Sequence, residues 1–372
     1  ERAEDDVASG AGLLDRVGGD PRLRTLYLNN VGSFHIRRNA PEAARRVLEQ
    51  ALEVGSTLGS DEPSRVQTLG NLAIAEERAG LDEPARTHLA EALELARQAL
   101  GPHHPTVAEL ARLRGELLLR TGHLLAAQAA LQEVLELLRA AVGPRSPLHH
   151  APLVLLGELA LEERRHADAE AWFQQAAALE LAAEGGGEMY GMLEQTGLAR
   201  AWWGRGEPER ARAVLEREVA RAEASAAPYA AALRLLYGRT LLLHGEPAAA
   251  LPQLRRAVEL EAQQGAARSQ VAAVAFLGQG QALARLGRLD EAEAALAEAL
   301  ARLEGTPHRR DRAWALVERS GVAAAKGQRA LAIAHARAAM EGIEPWGEPE
   351  HPDHARAWAA LARALRTGTP TA

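Results

Sequence analysis

The 372-residue sequence contains no cysteine, which excludes disulfide bonds and cysteine-ligated metal sites. Aromatic residues make up only 3% of the chain, and only three residues are Met. Ala, Leu, Arg and Glu dominate instead, and all four favour helices over strands. An extended β-sheet is therefore not expected. Lysine is almost missing as well, since Lys326 is the single lysine among 43 basic residues.

Long hydrophobic runs and excess positive charge are also missing. Glu or Arg interrupts every leucine-rich stretch before it reaches the roughly 20 apolar residues that a membrane-spanning helix needs. The net charge of -7 argues against a nucleic-acid coat and against a membrane-surface role. We therefore expect no nucleic-acid partner, no membrane partner and a cytoplasmic location, although a cysteine-free chain also suits the periplasm.

A short signature recurs eight times along the chain. It consists of a turn residue, usually Gly, followed five residues later by Ala and nine residues later by a large apolar residue in seven of the eight copies. A small residue also stands seven residues before each turn position. The turn positions, which lie 39 to 42 residues apart, are Asn39, Gly80, Gly122, Arg164, Gly206, Gly245, Gly287 and Gly327.

This spacing predicts eight helix-turn-helix units. Two antiparallel helices approach to about 8 to 10 Å only where small side chains stand at the crossing point, and a large neighbour then fills the remaining gap. Residues 21–366 are predicted to form the repeats, with a capping helix from Trp358 to Arg366. Residues 1–20 are predicted to be a linker or a frayed segment, and residues 367–372 a tail.

The signature resembles the tetratricopeptide repeat in the long, 42-residue variety of kinesin light chains. The amino-acid sequence is most similar to this variety of the repeat at residues 29–32, 70–73 and 100–105. The resemblance implies an all-α fold, a right-handed α-solenoid of eight units with a C-terminal capping helix. It also implies a non-catalytic scaffold for protein-protein interaction, such as the regulatory module of a bacterial signalling protein of the myxobacterial Ser/Thr kinase type.

The resemblance further implies which side chains line the concave groove and contact a peptide. Asparagine amides pair with a peptide backbone, and arginine forks pair with carboxylates. Arg37, Arg78 and Arg120 share one position in three successive units, which predicts a positive stripe that attracts an acidic segment. The candidate peptide-binding residues are Asn29, Asn30, Ser33, Arg37, Asn71, Arg78, Arg112, Glu116, Arg120, Glu158, Arg200, Trp203 and Arg239.

Two interpretations of these groove residues stay open. The asparagines and arginines either bind a peptide or only satisfy neighbouring backbone and solvent. Trp202 is expected in the hairpin core, whereas Trp203 is either a binding hot spot or a second buried ring.

Catalytic, cofactor and metal sites are not expected. The His103-His104 and His149-His150 pairs stand in linkers, where they suit capping better than metal binding. No Ser-His-Asp or His-Glu-x-x-His spacing occurs. The first alternative function is a sensor of a ligand or signalling peptide that changes superhelical pitch. The second is a transferase or hydrolase built on a helical solenoid.

Overall fold

The computed structural model describes residues 20–58, 63–179, 187–266, 269–343 and 351–366. Within these ranges the chain forms seventeen α-helices and no strand. None of these helices has the length and apolar character that crossing a bilayer requires. The predicted linker, apart from residue 20, and the predicted tail lie outside the described residues. The chain divides into two compact units, Glu1–Leu156 and Gly157–Ala372, which are described one at a time.

The amino-terminal unit holds three complete hairpins and the start of a fourth. Short 3-10 helices follow the second helix, at Ser56–Leu58, and precede the seventh, at Pro147–His149. The helices are α1 (Pro21–Arg37), α2 (Pro41–Gly55), α3 (Pro63–Arg78), α4 (Asp82–Leu100), α5 (Pro105–Arg120), α6 (Leu124–Val142) and α7 (His150–Glu162), the last of which crosses the unit boundary.

The carboxy-terminal unit completes the fourth hairpin and adds four more, followed by one single helix. Its helices are α8 (His166–Ala177), α9 (Gly187–Gly204), α10 (Pro208–Ala224), α11 (Ala230–Leu243), α12 (Pro247–Gln263), α13 (Gln270–Arg285), α14 (Leu289–Leu303), α15 (Arg309–Ala325), α16 (Arg329–Ile343) and α17 (Pro352–Arg366). The odd-numbered helices α1 to α15 are the first helices of the eight hairpins. This arrangement confirms the predicted all-α repeat fold.

All eight predicted turn positions adopt a left-handed backbone conformation, with φ between 53° and 87°. Six are Gly, and the other two are Asn39 and Arg164. At the first turn the N–H of Asn39 donates to the carbonyl of Ile36 at 3.1 Å, and the N–H of Ala40 to that of His35 at 3.0 Å. This pair of bonds ends the first helix and closes the hairpin. A side chain at positive φ costs about 1–2 kcal/mol, which explains the preference for Gly.

The hairpin cores have the small-to-large packing that the signature predicts. The alanines five residues after the turns are all fully buried, as are Leu131 and Leu296 nine residues after theirs. A Cβ added to Gly115 would lie 2.6 Å from Leu131 Cδ2, and one added to Gly280 would lie 2.5 Å from Leu296 Cγ. The glycines therefore leave the space that the leucines fill.

The last helix, α17, begins earlier than the sequence suggested. It starts at Pro352 rather than near Trp358, because His351 Nδ1 accepts the N–H of Asp353 at 3.2 Å and caps the helix. His104 caps α5 in the same way, accepting the N–H of Thr106 at 3.2 Å. Ala357 of α17 packs in a buried cluster on the eighth hairpin, which confirms the capping helix.

Candidate peptide-binding faces

Asparagines join the first helices of the first and second repeats. Asn71 Nδ2 donates to Asn29 Oδ1 at 2.9 Å and to Ser33 Oγ at 3.1 Å. Asn29 is only 2% exposed, so it packs between repeats and does not present its amide to a ligand. This burial corrects the prediction for Asn29. Asn30, one residue further, is exposed to solvent.

The arginine two residues before the turn bonds to the backbone of the preceding repeat in two places. Arg78 Nη1 donates to the carbonyl of Ile36 at 2.5 Å, and Arg285 Nη1 donates in the same register to the carbonyl of Leu242. Both carbonyls lie in the last turn of a helix, where a positive charge opposes the helix dipole favourably. The guanidinium of Arg78 is therefore bonded to the preceding repeat, while Arg37 in the first repeat is exposed to solvent.

The two remaining candidate arginines of the amino-terminal unit, Arg112 and Arg120, have acidic neighbours. Arg112 pairs with Glu109 at 2.7 Å and with Glu116 at 2.8 Å, and the hydrogen bond to Glu109 is the main cause that raises the pKa of Arg112. Arg120 pairs with Glu77 at 2.7 Å and with Asp82 at 2.8 Å.

These pairs change the electrostatics of the predicted stripe. Burial raises the pKa of Glu77, and the charge of Arg120 opposes that shift. Glu77 and Asp82 therefore balance the positive charge of Arg120, the third arginine of the predicted stripe. The stripe is not purely positive at this position.

The two adjacent tryptophans are both buried. Trp202 is 6% exposed and its Nε1 donates to Glu170 Oε1 at 2.9 Å, as expected for a ring in the hairpin core. Trp203 is 5% exposed and stacks on His244 of the next repeat, with ring centroids 5.2 Å apart. The prediction that Trp203 is a binding hot spot is therefore wrong, because the following repeat covers the ring.

A network of charged side chains crosses the carboxy-terminal unit. Arg200 of α9 pairs with Glu158 of α7 at 2.7 Å. Arg310 at the start of α15 donates to Glu162 at the end of α7, with Nη2 to Oε2 at 3.3 Å, and to Asp353 of α17, with Nε to Oδ2 at 2.8 Å. Glu162 and Arg310 are 148 residues apart in sequence, so this side-chain contact links the first helices of the fourth and eighth repeats.

Arg239 of α11 stands among these groups with a solvent-exposed side chain. The protein atoms around its guanidinium partly desolvate it and lower its pKa, although water still reaches the side chain; Asp311 opposes the shift, while Arg200 and Arg310 add to it. For Glu162, burial alone would raise the pKa, but the charges of the three arginines outweigh burial and lower it. The three arginines therefore act on one shared carboxylate.

Sequence reasoning missed Arg310, Asp311 and Asp353 as members of this network. The position of Arg310 in the period gives no signal for Glu162, because that partner lies four repeats away. Asp311 and Asp353 bond one repeat away, to Gln270 and to Arg310. The His351-Pro352 pair marks a helix start and so places Asp353 near a helix N-terminus, but it does not indicate Arg310 as its partner. Among the described residues, no group of three or more His, Asp or Glu side chains is placed to hold a metal ion.

Several solved structures are similar to this chain. The apo form of the quorum sensor NprR from B. thuringiensis is 15% identical with a TM-score of 0.62, over 81% of this chain and 84% of that chain. BtubC (BKLC) from P. vanneervenii is 17% identical with a TM-score of 0.52, over 61% and 91%. A putative kinesin light chain from Podosopora anserina is 21% identical with a TM-score of 0.46, over 55% and 97%. The first two similarities concern the fold alone.

The hairpins and their shared turn geometry define an α-helical repeat protein of the solenoid class. Family models identify the repeat itself: residues 22–98 and 83–140 match one model of the tetratricopeptide repeat, and residues 112–184 match a second. Residues 22–184 therefore belong to the tetratricopeptide repeat family, and the later hairpins have the same turn geometry and packing. No curated protein is significantly similar to it in sequence.

Proposed function

We propose that this chain is a non-catalytic scaffold that binds an extended peptide segment of a partner protein on its first helices. The observation that carries the proposal is the run of exposed polar side chains on α1, α3 and α5, which include Asn30, Arg37, Arg78, Glu116 and Arg120. The opposite sides of these helices are closed by apolar hairpin packing. Donors and acceptors that recur from one repeat to the next suit a ligand whose backbone is extended.

A peptide-display selection against the whole chain tests this proposal. We expect selected peptides to lose about tenfold in affinity with the double variant Asn30→Ala and Arg37→Glu, because a lost charge-assisted hydrogen bond has about that value. The matched control is Arg46→Glu, on the exposed side of the second helix α2. A selection that yields no binder, or an equal loss in the control, would contradict peptide binding on the first helices.

The sensor function is the second candidate, and the Glu162–Arg310 contact favours it. This ion pair links the fourth and eighth repeats, so a sensor ligand that moves these repeats relative to each other breaks it. The similarity in fold to a quorum sensor agrees with this alternative. Small-angle scattering distinguishes the candidates, since a sensor changes its radius of gyration on binding and a rigid scaffold does not.

The cellular setting of the scaffold is a proposal from the sequence resemblance. We infer a cytoplasmic regulatory module of a bacterial signalling protein such as a Ser/Thr kinase. The reading frame of the whole gene tests this setting, because a kinase domain encoded in the same frame would support it and its absence would contradict it.

A further inference from the structure

In the carboxy-terminal unit, one carboxylate contacts one arginine and lies within the electrostatic influence of two more. Arg200, Arg239 and Arg310 come from the fifth, sixth and eighth repeats, and each acts electrostatically on Glu162 of the fourth. Arg310 contacts Glu162 directly, at 3.4 Å from Nη1 to Oε1 and 3.3 Å from Nη2 to Oε2. Both distances exceed the usual 2.7–2.9 Å of a charge-assisted bond, so Glu162 is held loosely.

Two of the three arginines have closer acidic partners elsewhere. Arg200 is held by Glu158 at 2.7 Å, and Arg310 by Asp353 at 2.8 Å, with Asp353 almost fully buried. These pairs fix the guanidinium groups in place. Arg200 and Arg310 therefore do not depend on Glu162 for their positions.

Of the three arginines, Arg239 is the one that forms no ion pair with a described residue. No hydrogen-bond acceptor of the described residues contacts its guanidinium, which is accessible to solvent. Asp311, the acidic group with the largest electrostatic effect on Arg239, accepts a hydrogen bond from Gln270 at 2.9 Å. A guanidinium has five donors, and a carboxylate accepts two of them in parallel.

We propose that Arg200, Arg239 and Arg310 bind the side-chain carboxylate of an acidic segment in a partner, and that Glu162 occupies this site in the free protein. The observed occupant is itself a side-chain carboxylate, which is the reason for choosing this ligand over a phosphate or a chain terminus. An incoming Asp or Glu engages Arg239 and displaces Glu162 from Arg310. The inference rests on the proposed peptide-binding function and specifies the chemistry of the segment that binds.

Labelled peptides of stated composition test the site by fluorescence anisotropy on the whole chain. The probe is a short Glu/Ala peptide with an amidated C-terminus, compared with the matching Gln/Ala peptide. We expect Arg239→Gln to weaken Glu/Ala binding about tenfold, since it removes a charge-assisted fork. We expect Glu162→Gln to strengthen binding about fivefold, because the internal competitor is gone.

Matched controls change the same charges on the exposed face of the second helix α16. Arg337→Gln and Glu341→Gln alter net charge as the test variants do, and both positions are exposed. We expect neither to change the affinity, and circular dichroism on heating checks that all four variants stay folded. An effect of equal size in the controls would show that binding depends only on general electrostatic attraction. It would overturn the proposed carboxylate site.

The other outcomes separate this inference from the wider proposal. Unchanged affinities in Arg239→Gln and Glu162→Gln, with display-selected peptides still bound, would overturn the carboxylate site and leave the scaffold intact. Stronger competition by inorganic phosphate, or by a peptide with a free C-terminus and no acidic side chain, would overturn the choice of ligand. Failure of every peptide to bind any variant would overturn the scaffold itself.

Discussion

The two units of the chain share one type of hairpin core but pair the arginines of their first helices differently. In the amino-terminal unit, the acidic partners of Arg112 and Arg120 come from the same helix or the neighbouring repeat. In the carboxy-terminal unit, Arg310 pairs with Glu162 across four repeats. Core packing therefore follows the local period in both units, whereas one arginine pairing of the carboxy-terminal unit spans four repeats.

The largest expected effect tests the shared core. Gly115→Leu in the amino-terminal unit and Gly280→Leu in the carboxy-terminal unit each place a side chain where a leucine already lies within 2.6 Å of the added Cβ. We expect each variant to lower the free energy of unfolding by about 3 kcal/mol through overpacking. Urea denaturation of both variants measures this loss. A large loss in one unit and none in the other would show that the cores are not equivalent.

A smaller effect tests the difference in arginine pairing. Arg310→Gln removes a partner of Asp353, whose carboxylate is only 2% exposed, and should cost about 2 kcal/mol because a buried charge loses a bond. Arg120→Gln removes more exposed pairs and should cost about 0.5 kcal/mol. Thermal unfolding of the two variants compares them. Equal losses would contradict the distinction between the units.

The smallest effect concerns pH. A hydrogen bond to Glu76 raises the pKa of His88 in the amino-terminal unit, whereas burial, assisted by Arg164, lowers the pKa of His166 in the carboxy-terminal unit. The stabilisation by His88 is complete below the unfolded pKa of about 6.5 and is lost as the pH rises through the folded value. The contribution of His166 is complete above about 6.5 and is lost as the pH falls.

Melting temperatures of wild type, His88→Gln and His166→Gln across this pH range measure both slopes. We expect His88→Gln to be most destabilising at low pH and His166→Gln to remove part of the loss in stability on acidification. Parallel curves for all three proteins would mean that neither histidine is linked to folding.

The fold was predictable because its determinants are local and repeated. Each alanine five residues after a turn is buried in the second helix of its hairpin, and the left-handed turn lies between the two helices. Even Arg164, an unfavourable residue at φ 58°, adopts the turn that its position in the period predicts. Trp202 was likewise predictable, since its position belongs to the hairpin core.

The candidate site was less predictable because it depends on neighbouring repeats. Asn29 and Trp203 occupy positions that face outward from a single hairpin, yet Asn71 and His244 of the following repeats cover them. The contact of Arg310 with Glu162 carried no signal in the sequence, since Glu162 belongs to a helix four repeats away. A period shows which side of a helix a residue occupies and not what the next repeats place over it.

The sequence by itself determined the number of hairpins, their turns and their cores, because small and large residues at fixed spacing permit only one close packing of paired helices. The tertiary structure decided which polar side chains stay accessible and which are buried in contacts between repeats. It also brought Glu162 and Arg310 together, because small rotations between successive repeats add up over many residues. No local pattern encodes that sum, and the carboxylate site of the carboxy-terminal unit depends on it.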